Sequence, residues 1–364
     1  VIKNIKIKNF RCFNDFKVSG FEKINLISGK NNVGKTALLE ALFINTAPRP
    51  ETIILLRHVR REQLSFSKSL PERTWNNFFF RQNKSNEIVI EAKLENESSK
   101  IVEIYVDESV KDFSEETDEQ NSDNEIQDNI ISLFSGSESV QSVMHLKTRI
   151  NHGEPFETLI ISSTKGLLAR DIKIPDIKNA FFIPSFLRAS SRELAMEFDK
   201  ARLNEKNEEV LKAFQAIDSS IVEVESFSIG EPTVYLKREG EGRLPLSLFG
   251  DAINRIADII LRVVNNENSI LLIDEIENGI HHSSQVYFWT ILYKLAHDLN
   301  VQIFATTHSL EMTKAFIKAG TQYENTSAHF ELTRHIKTGK IVAIRRDLDT
   351  LDYGISHNKE VRGE

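Results

Sequence analysis

The stretch Ile27-Ser28-Gly29-Lys30-Asn31-Asn32-Val33-Gly34-Lys35-Thr36 constrains this chain more than any other. It reads G-x-x-x-x-G-K-[ST], the pattern of a phosphate-binding loop. Gly29 and Gly34 let the backbone curl so that its N–H groups point inward. With the first turn of the following helix, those groups form an anion cradle. In such a cradle Lys35 reaches β- and γ-phosphates, and the Thr36 hydroxyl is placed for Mg²⁺. Asn31, Asn32, Val33 and Ala37 complete the candidate binding segment. The flanks agree with the pattern. Ile24-Asn25-Leu26-Ile27 reads as a short buried strand, and Thr36-Ala37-Leu38-Leu39-Glu40-Ala41-Leu42-Phe43 as a helix with an apolar face.

A second half of the site is visible far along the chain. Ile270-Leu271-Leu272-Ile273-Asp274-Glu275 is a continuous apolar run ending in two carboxylates, as suits a central strand buried on both faces. Asp274 sits where open α/β sheets place ligands and is expected to hold Mg²⁺, directly or through water. Glu275 is the candidate base or positioner of an attacking water. Val301-Gln302-Ile303-Phe304-Ala305 reads as another buried strand, and Thr306-Thr307-His308-Ser309 follows it. A lone histidine is usually structural. At the end of such a strand, in a chain that also carries the paired acids, His308 is expected at a γ-phosphate. His281 and His282 read either as a polar turn opening a helix or as functional groups. They do not read as a zinc site, since no further ligands stand at metal spacing. Ser247, Gly250 and Asp251 precede an apolar helix over 253–264, which gives an ordinary cap or a second anion-binding helix start. One nucleotide does not need two cradles in one chain, but in a dimer the second can face the partner's γ-phosphate.

Between these segments the sequence suggests a composite chain. Residues 2–10 and a second segment running to Gly20 read as strands, and with the strand entering the loop they suggest a mixed sheet. Residues 51–65 look helical, with Arg57, Arg60 and Arg61 either on a solvated face or forming a basic contact patch. Over 51–180, runs at 87–94, 101–106, 143–150 and 158–162 suggest an antiparallel subdomain interrupted by an acidic, Ser/Asn-rich loop, 107–142, expected to be mobile. Ser190 or Ser191 is expected to cap a helical insertion within 185–229, broken into two helices at 204–207. A hairpin about Gly230-Glu231-Pro232 is expected next, and a lobe over 240–346 holds the second half of the site.

Composition narrows the function classes. A length of 364 residues suits a large core or about two domains. One cysteine, Cys12, excludes an internal disulfide framework and fits a reducing cytoplasm. No apolar run approaches a membrane span, and the alternating Ile and Lys of the N-terminus lack the apolar core of a signal peptide. The ten acids and one base between Asp107 and Asp128 outweigh the whole net charge of −7 and leave the rest of the chain slightly positive. The global charge therefore neither implies nor rules out DNA binding.

Together these segments resemble the ABC-type ATPase heads of the RecF, SMC and Rad50 group, and more closely the AAA15 or OLD-like ATPases, many of them bacterial defence proteins. Asn9-Phe10-Arg11-Cys12-Phe13 looks like that group's N-terminal motif, which implies that Arg11 contacts nucleotide. Residues 29–36 match Walker A, 270–281 the Walker B and D-loop region, 304–309 the switch histidine and 246–252 the signature. Gln82 is the candidate Q-loop glutamine. The signature departs from S-x-G-D-G, with Leu248 and Ala252 in place of a small polar residue and a glycine. The resemblance implies an α/β P-loop NTPase of ABC/SMC-head type that binds ATP and Mg²⁺, forms at least a homodimer, and controls a separate effector in anti-phage defence. OLD nucleases carry a C-terminal Toprim domain. Here the residues after His308 read as a hairpin, 330–336 and 341–346, and a short tail, so a nuclease is expected to be a separate partner. Asp347, Asp349 and Asp352 form the nearest other acidic group and read as a solvated tail helix. A RecF- or Rad50-like DNA-end-binding ATPase is the alternative. A transporter ATPase fits less well, since no membrane segment is visible.

Overall fold

The structure, a computed structural model, describes residues 1–108, 141–170, 178–215, 217–323, 325–348 and 350–351. Most of the acidic stretch expected to be a mobile loop lies outside the described residues, as do Asp349 and Asp352.

The chain opens with β1 (Ile2–Phe10), β2 (Phe13–Ser19) and β3 (Ile24–Gly29), followed by α1 (Lys35–Thr46), α2 (Pro50–Val59) and α3 (Leu64–Ser69). Five strands follow: β4 (Ile88–Leu94), β5 (Ser99–Asp107), β6 (Gln141–Ile150), β7 (Phe156–Ser163) and β8 (Gly166–Arg170). After β9 (Ala180–Ile183) come α4 (Ser191–Leu203), α5 (Asn207–Gln215), β10 (Ile221–Phe227), β11 (Thr233–Arg238) and β12 (Arg243–Pro245). The last part runs α6 (Asp251–Asn265), β13 (Ile270–Ile273), α7 (His282–Asp298), β14 (Gln302–Thr306), α8 (Leu310–Gly320), β15 (Ser327–Arg334) and β16 (Ile341–Arg346).

Two large sheets sandwich α1. The antiparallel sheet has the order β2-β1-β4-β5-β6-β7-β8, and the mixed sheet β16-β15-β3-β14-β13-β9. On β13, Leu271 and Ile273 face one core while Ile270 and Leu272 face the other. On β14, Ile303 and Ala305 oppose Phe304 in the same way. This period of two is what a central strand buried on both faces requires. The α1 side chains Leu38, Leu39 and Leu42 share one core with Ile7, Ile90 and Val102 of the antiparallel sheet and with Leu272 and Phe304 of the mixed sheet. The opposite face of the mixed sheet is covered by α4–α8. A P-loop α/β sheet, an antiparallel unit and inserted helices are all present, as the fold class expected from the sequence requires.

Two local expectations change. First, β1 and β2 belong to the antiparallel sheet, which therefore reaches back to Ile2 and is not confined to residues beyond 51. Ile5 and Ile7 of β1 lie opposite Ala92 and Ile90 of β4, so their apolar faces join one core. The mixed character of the other sheet comes from β16, antiparallel to β15. Second, residues 51–65 are not one helix. Arg61 takes a left-handed backbone (φ 57°), which ends α2 and turns the chain into α3. Arg57 is then no part of a solvated face. It is buried, with Nε on Glu62 Oε2 at 2.9 Å and Nη2 on Ser67 Oγ at 2.6 Å. Elsewhere the local reading holds. Ser190 caps α4 in a reciprocal capping box with Glu193, and the polar break separates α4 from α5.

Lys100 of β5 is an expensive anchor. Its Nζ donates to the Thr46 carbonyl at the end of α1 (2.9 Å), and burial, with Arg49 nearby, pushes its pKa down to about 8. The unfolded lysine holds its proton up to about pH 10.4, so this site lowers stability at neutral pH and the penalty fades as pH rises above about 8. Lys100→Met is expected to stabilise the fold by about 1–2 kcal/mol at pH 7, after subtracting the lost hydrogen bond from the desolvation relief. Denaturant midpoints at pH 7 and pH 10 check this, and the gain should shrink at the higher pH.

Candidate nucleotide site

The phosphate loop leaves β3 through two glycines with positive φ, Gly29 (145°) and Gly34 (92°). A Cβ at Gly34 would lie 2.7 Å from Cys12 Sγ and 2.9 Å from the Phe13 ring, so the β1–β2 turn packs against the loop and leaves no room for a side chain. Val33 and Ala37 are buried, while Asn31 and Asn32 are exposed at the cleft. Lys35 Nζ donates to the carbonyls of Gly29 (2.6 Å) and Lys30 (2.9 Å). Burial lowers its pKa, against the opposing pull of Asp274, Glu277 and Glu275.

The strand order brings the two halves of the motif together. β14 lies between β3 and β13, parallel to both, so the ends of all three strands open on one edge. Thr36 Oγ1 donates to Asp274, 3.0 Å from Oδ1 and 3.1 Å from Oδ2. Thr306 Oγ1 donates to Asp274 Oδ1 at 2.7 Å and accepts the Glu275 N–H at 2.8 Å. Burial raises the Asp274 pKa, with Glu275 adding to it, while the two threonine hydroxyls oppose the rise. Glu275 holds a left-handed backbone (φ 48°), and its Oε2 accepts from Asn278 Nδ2 at 2.8 Å. Glu277 Oε1 accepts the His308 backbone N–H at 2.9 Å, and His308 Nδ1 lies 2.9 Å from the same oxygen. The His308 side chain is 50% exposed.

A cleft of about 650 Å³ collects most of the expected residues. Arg11, Asn31, Asn32, Gly34, Lys35, Thr36, Ala37, Asp274 and Glu275 all line it. Gln82 lines it as well, with a left-handed backbone of φ 60°. Ser247, Gly250 and His308 are not in its lining. Gly250 (φ 88°) marks the start of α6, Asp251 opens that helix, and Ser247 lies in the 3₁₀ turn before it. His281 caps α7, accepting from the Ser283 N–H, which is the helix-start reading of that histidine.

One key residue was not singled out from sequence. Glu40 of α1 is fully buried and holds two arginines at the cleft wall: Arg11 Nε on Oε2 at 2.9 Å and Arg60 Nε on Oε1 at 2.6 Å. Arg11 also stacks over the Phe78 ring, 4.3 Å from its centroid, and its Nη2 is buried with no partner among the described residues. The signal was there, because a single acid in the apolar run Ala37–Phe43 needs a buried cation. A hydroxyl beside a carboxylate, a lysine bonded to loop carbonyls, a loop whose Gly29 and Gly34 leave no room for a side chain, and a guanidinium nitrogen without a partner among the described residues form a donor set that fits a Mg²⁺–nucleotide.

A family model described as "AAA domain, putative AbiEii toxin, Type IV TA system" matches residues 24–312. That is well over half the chain, and it takes in the phosphate loop, the Asp274–Glu275 strand and His308. The chain belongs to this family. It is a P-loop enzyme of the ATPase class. It is 26% identical over 337 residues to an "ATP/GTP phosphatase" of Helicobacter pylori, covering 85% of this chain and 86% of that one. A segment of 44 residues is 43% identical to the "DNA double-strand break repair Rad50 ATPase" of Archaeoglobus fulgidus, covering 12% of this chain and 5% of that protein. Among solved structures, an SMC head bound to the C-winged helix domain of ScpA aligns over 97% of this chain and 99% of that chain, at 12% identity and a TM-score of 0.49. No described helix is long and apolar enough to cross a membrane.

Proposed function

We propose that this chain is a regulatory ATPase of the AAA15 or OLD-like kind, which hydrolyses ATP with Mg²⁺, dimerises through its nucleotide sites and controls a separate effector in anti-phage defence. The observation that carries the reading is the direct Thr36–Asp274 contact with Glu275 beside it, in the cleft that also holds Arg11 and Lys35. Thr36 and Asp274 would hold Mg²⁺, which when bound neutralises phosphate charge. Lys35 exchanges its loop carbonyls for phosphate oxygens, and Arg11 offers its free Nη2 to the same anion. Glu275, fixed by Thr306 and Asn278, orients the attacking water or takes its proton. His308, oriented by Glu277, presents its exposed ring edge to the γ-phosphate.

Ser247 and Gly250 do not line their own chain's cleft, which suits a role for the segment 247–251 toward a second copy's nucleotide. Loss of the γ-phosphate would then separate two heads and release or engage the effector, in the cytoplasm and by analogy a Toprim-type nuclease. The second reading, a DNA-end-binding ATPase, draws on the short Rad50 similarity. Hydrolysis stimulated severalfold by DNA ends would favour it.

Phosphate release by the purified chain, with ATP and Mg²⁺, tests the reading. Lys35→Ala is expected to weaken ATP binding by about 30-fold or more, since it removes a charged partner from a desolvated anion. Unchanged affinity in that variant would remove the phosphate loop from the mechanism.

A further inference from the structure

Arg255 is the fifth residue of α6 and is only 1% exposed. Its hydrogen bonds go to backbone carbonyls. Nη2 donates to Asp274 (2.6 Å) and Glu275 (3.1 Å), and Nη1 to Pro184 (3.2 Å) and Ser185 (3.4 Å). Those four carbonyls follow or end two neighbouring parallel strands, β9 and β13. Among the described residues no carboxylate forms an ion pair with Arg255, and its Nε has no partner. Burial, with Arg188 close by, lowers its pKa to about 10, which still leaves it charged at neutral pH. A methionine or leucine would fill the same space without desolvating a charge, so packing alone does not call for an arginine here.

The carbonyls it holds belong to the two acids of the site. Glu275 sits in a left-handed conformation that a non-glycine residue adopts at a cost and that surrounding bonds must maintain. Thr306 fixes its N–H from the β14 side, and Arg255 fixes its carbonyl from α6. The first residues of α6 follow directly on Ser247 and Gly250, the segment given a role toward a second nucleotide. An α-helix moves as a unit, so a shift at its N-terminus reaches Arg255 about one turn later.

We propose that Arg255 is a positioning residue that ties the Ser247–Asp251 helix start to the backbone carrying Asp274 and Glu275, so that engagement of a second copy at α6 sets the geometry of the candidate base. This rests on the function proposed above. It assigns Arg255 no contact with nucleotide, so its loss affects the chemical step and not affinity.

The test compares wild type, Arg255→Lys and Arg255→Met by ATP turnover, fluorescent ATP-analogue affinity, melting temperature and amide exchange. The expected result is kcat lower by roughly 10- to 100-fold, with affinity and melting temperature nearly unchanged. Exchange should speed up over 273–278 and stay as it was elsewhere. In a Glu275→Gln background the same substitutions should cost less than about threefold, since both act through one group. Wild-type turnover and wild-type exchange in both variants would overturn the inference. So would a parallel loss of kcat, affinity and melting temperature, which marks a purely structural arginine. A wild-type chain that hydrolyses no ATP overturns the functional reading instead, and the exchange comparison still decides whether Arg255 holds this segment.

Discussion

Glu275→Gln is expected to lower ATP turnover by about 10²- to 10⁴-fold while leaving ATP affinity within roughly threefold of wild type. The split follows from what surrounds the side chain. Asp274 keeps both of its threonine partners in the variant, so the site proposed for Mg²⁺ is untouched. The loop contacts of Lys35 and the Glu40–Arg11 pair do not use the Glu275 side chain. A glutamine has the same shape and can still meet Asn278, so the strained backbone at this position keeps its support. What disappears is a carboxylate that can accept a proton from water. Single-turnover hydrolysis and equilibrium binding of a fluorescent ATP analogue separate the two quantities. If the heads dimerise through nucleotide, the variant should also accumulate a dimer in ATP and Mg²⁺ that wild type shows only briefly. Turnover at the wild-type rate would mean that another group activates the water.

The core of this site could be read from sequence because its parts carry local patterns. The phosphate loop needs glycines at fixed spacing, and a central strand buried on both faces leaves a continuous apolar run before Asp274 and before His308. The sheet to which a strand belongs is not local. β1 alternates in the same way whichever neighbour it pairs with, and only the structure assigns it to β4. The same holds for charges that act from inside helices. Glu40 stands alone in an apolar helical run, which announces a buried partner without naming it, whereas Arg255 follows Asn254 and precedes Asp258 by three residues, so its surroundings give no such signal. The partners, Arg11 with Arg60 in one case and strand-end carbonyls in the other, lie far along the chain. The helix expected over 51–65 failed for a different reason. Nothing in the composition of Arg60-Arg61-Glu62 signals a left-handed residue, and the turn is held by the buried Arg57–Glu62 pair.

The stability of the fold is expected to fall by about 2–3 kcal/mol as pH drops from 6.5 to 4.5 on account of His329 alone. This histidine lies on β15, paired with Leu26 of β3, the strand that delivers the phosphate loop. It is fully buried. Its Nε2 is 2.9 Å from Ser28 Oγ, and Nδ1 has no partner among the described residues. Burial, with the Arg346 guanidinium nearby, pushes its pKa down to about 3. An unfolded histidine titrates near 6.5, so between about pH 6.5 and pH 3 the unfolded chain binds a proton that the folded chain refuses, and stability falls with pH across that window. Each unit crossed corresponds to about 1.4 kcal/mol. Asp258 and Asp274 act in the opposite sense, since burial raises their folded pKa values and favours the folded state as the solution becomes acidic. The comparison that isolates the histidine is therefore wild type against His329→Gln, not wild type against pH alone. Glutamine can still reach Ser28 and does not titrate. At pH 7 the variant should be the less stable chain by about 1–2 kcal/mol, for the imperfect fit of its side chain in a packed site. By pH 4.5 the difference should close or reverse. Denaturant unfolding at pH 7, 6, 5 and 4.5 gives the two curves. If they run parallel, the ring at position 329 either carries its proton in the folded state or is not the group that makes the fold sensitive to acid.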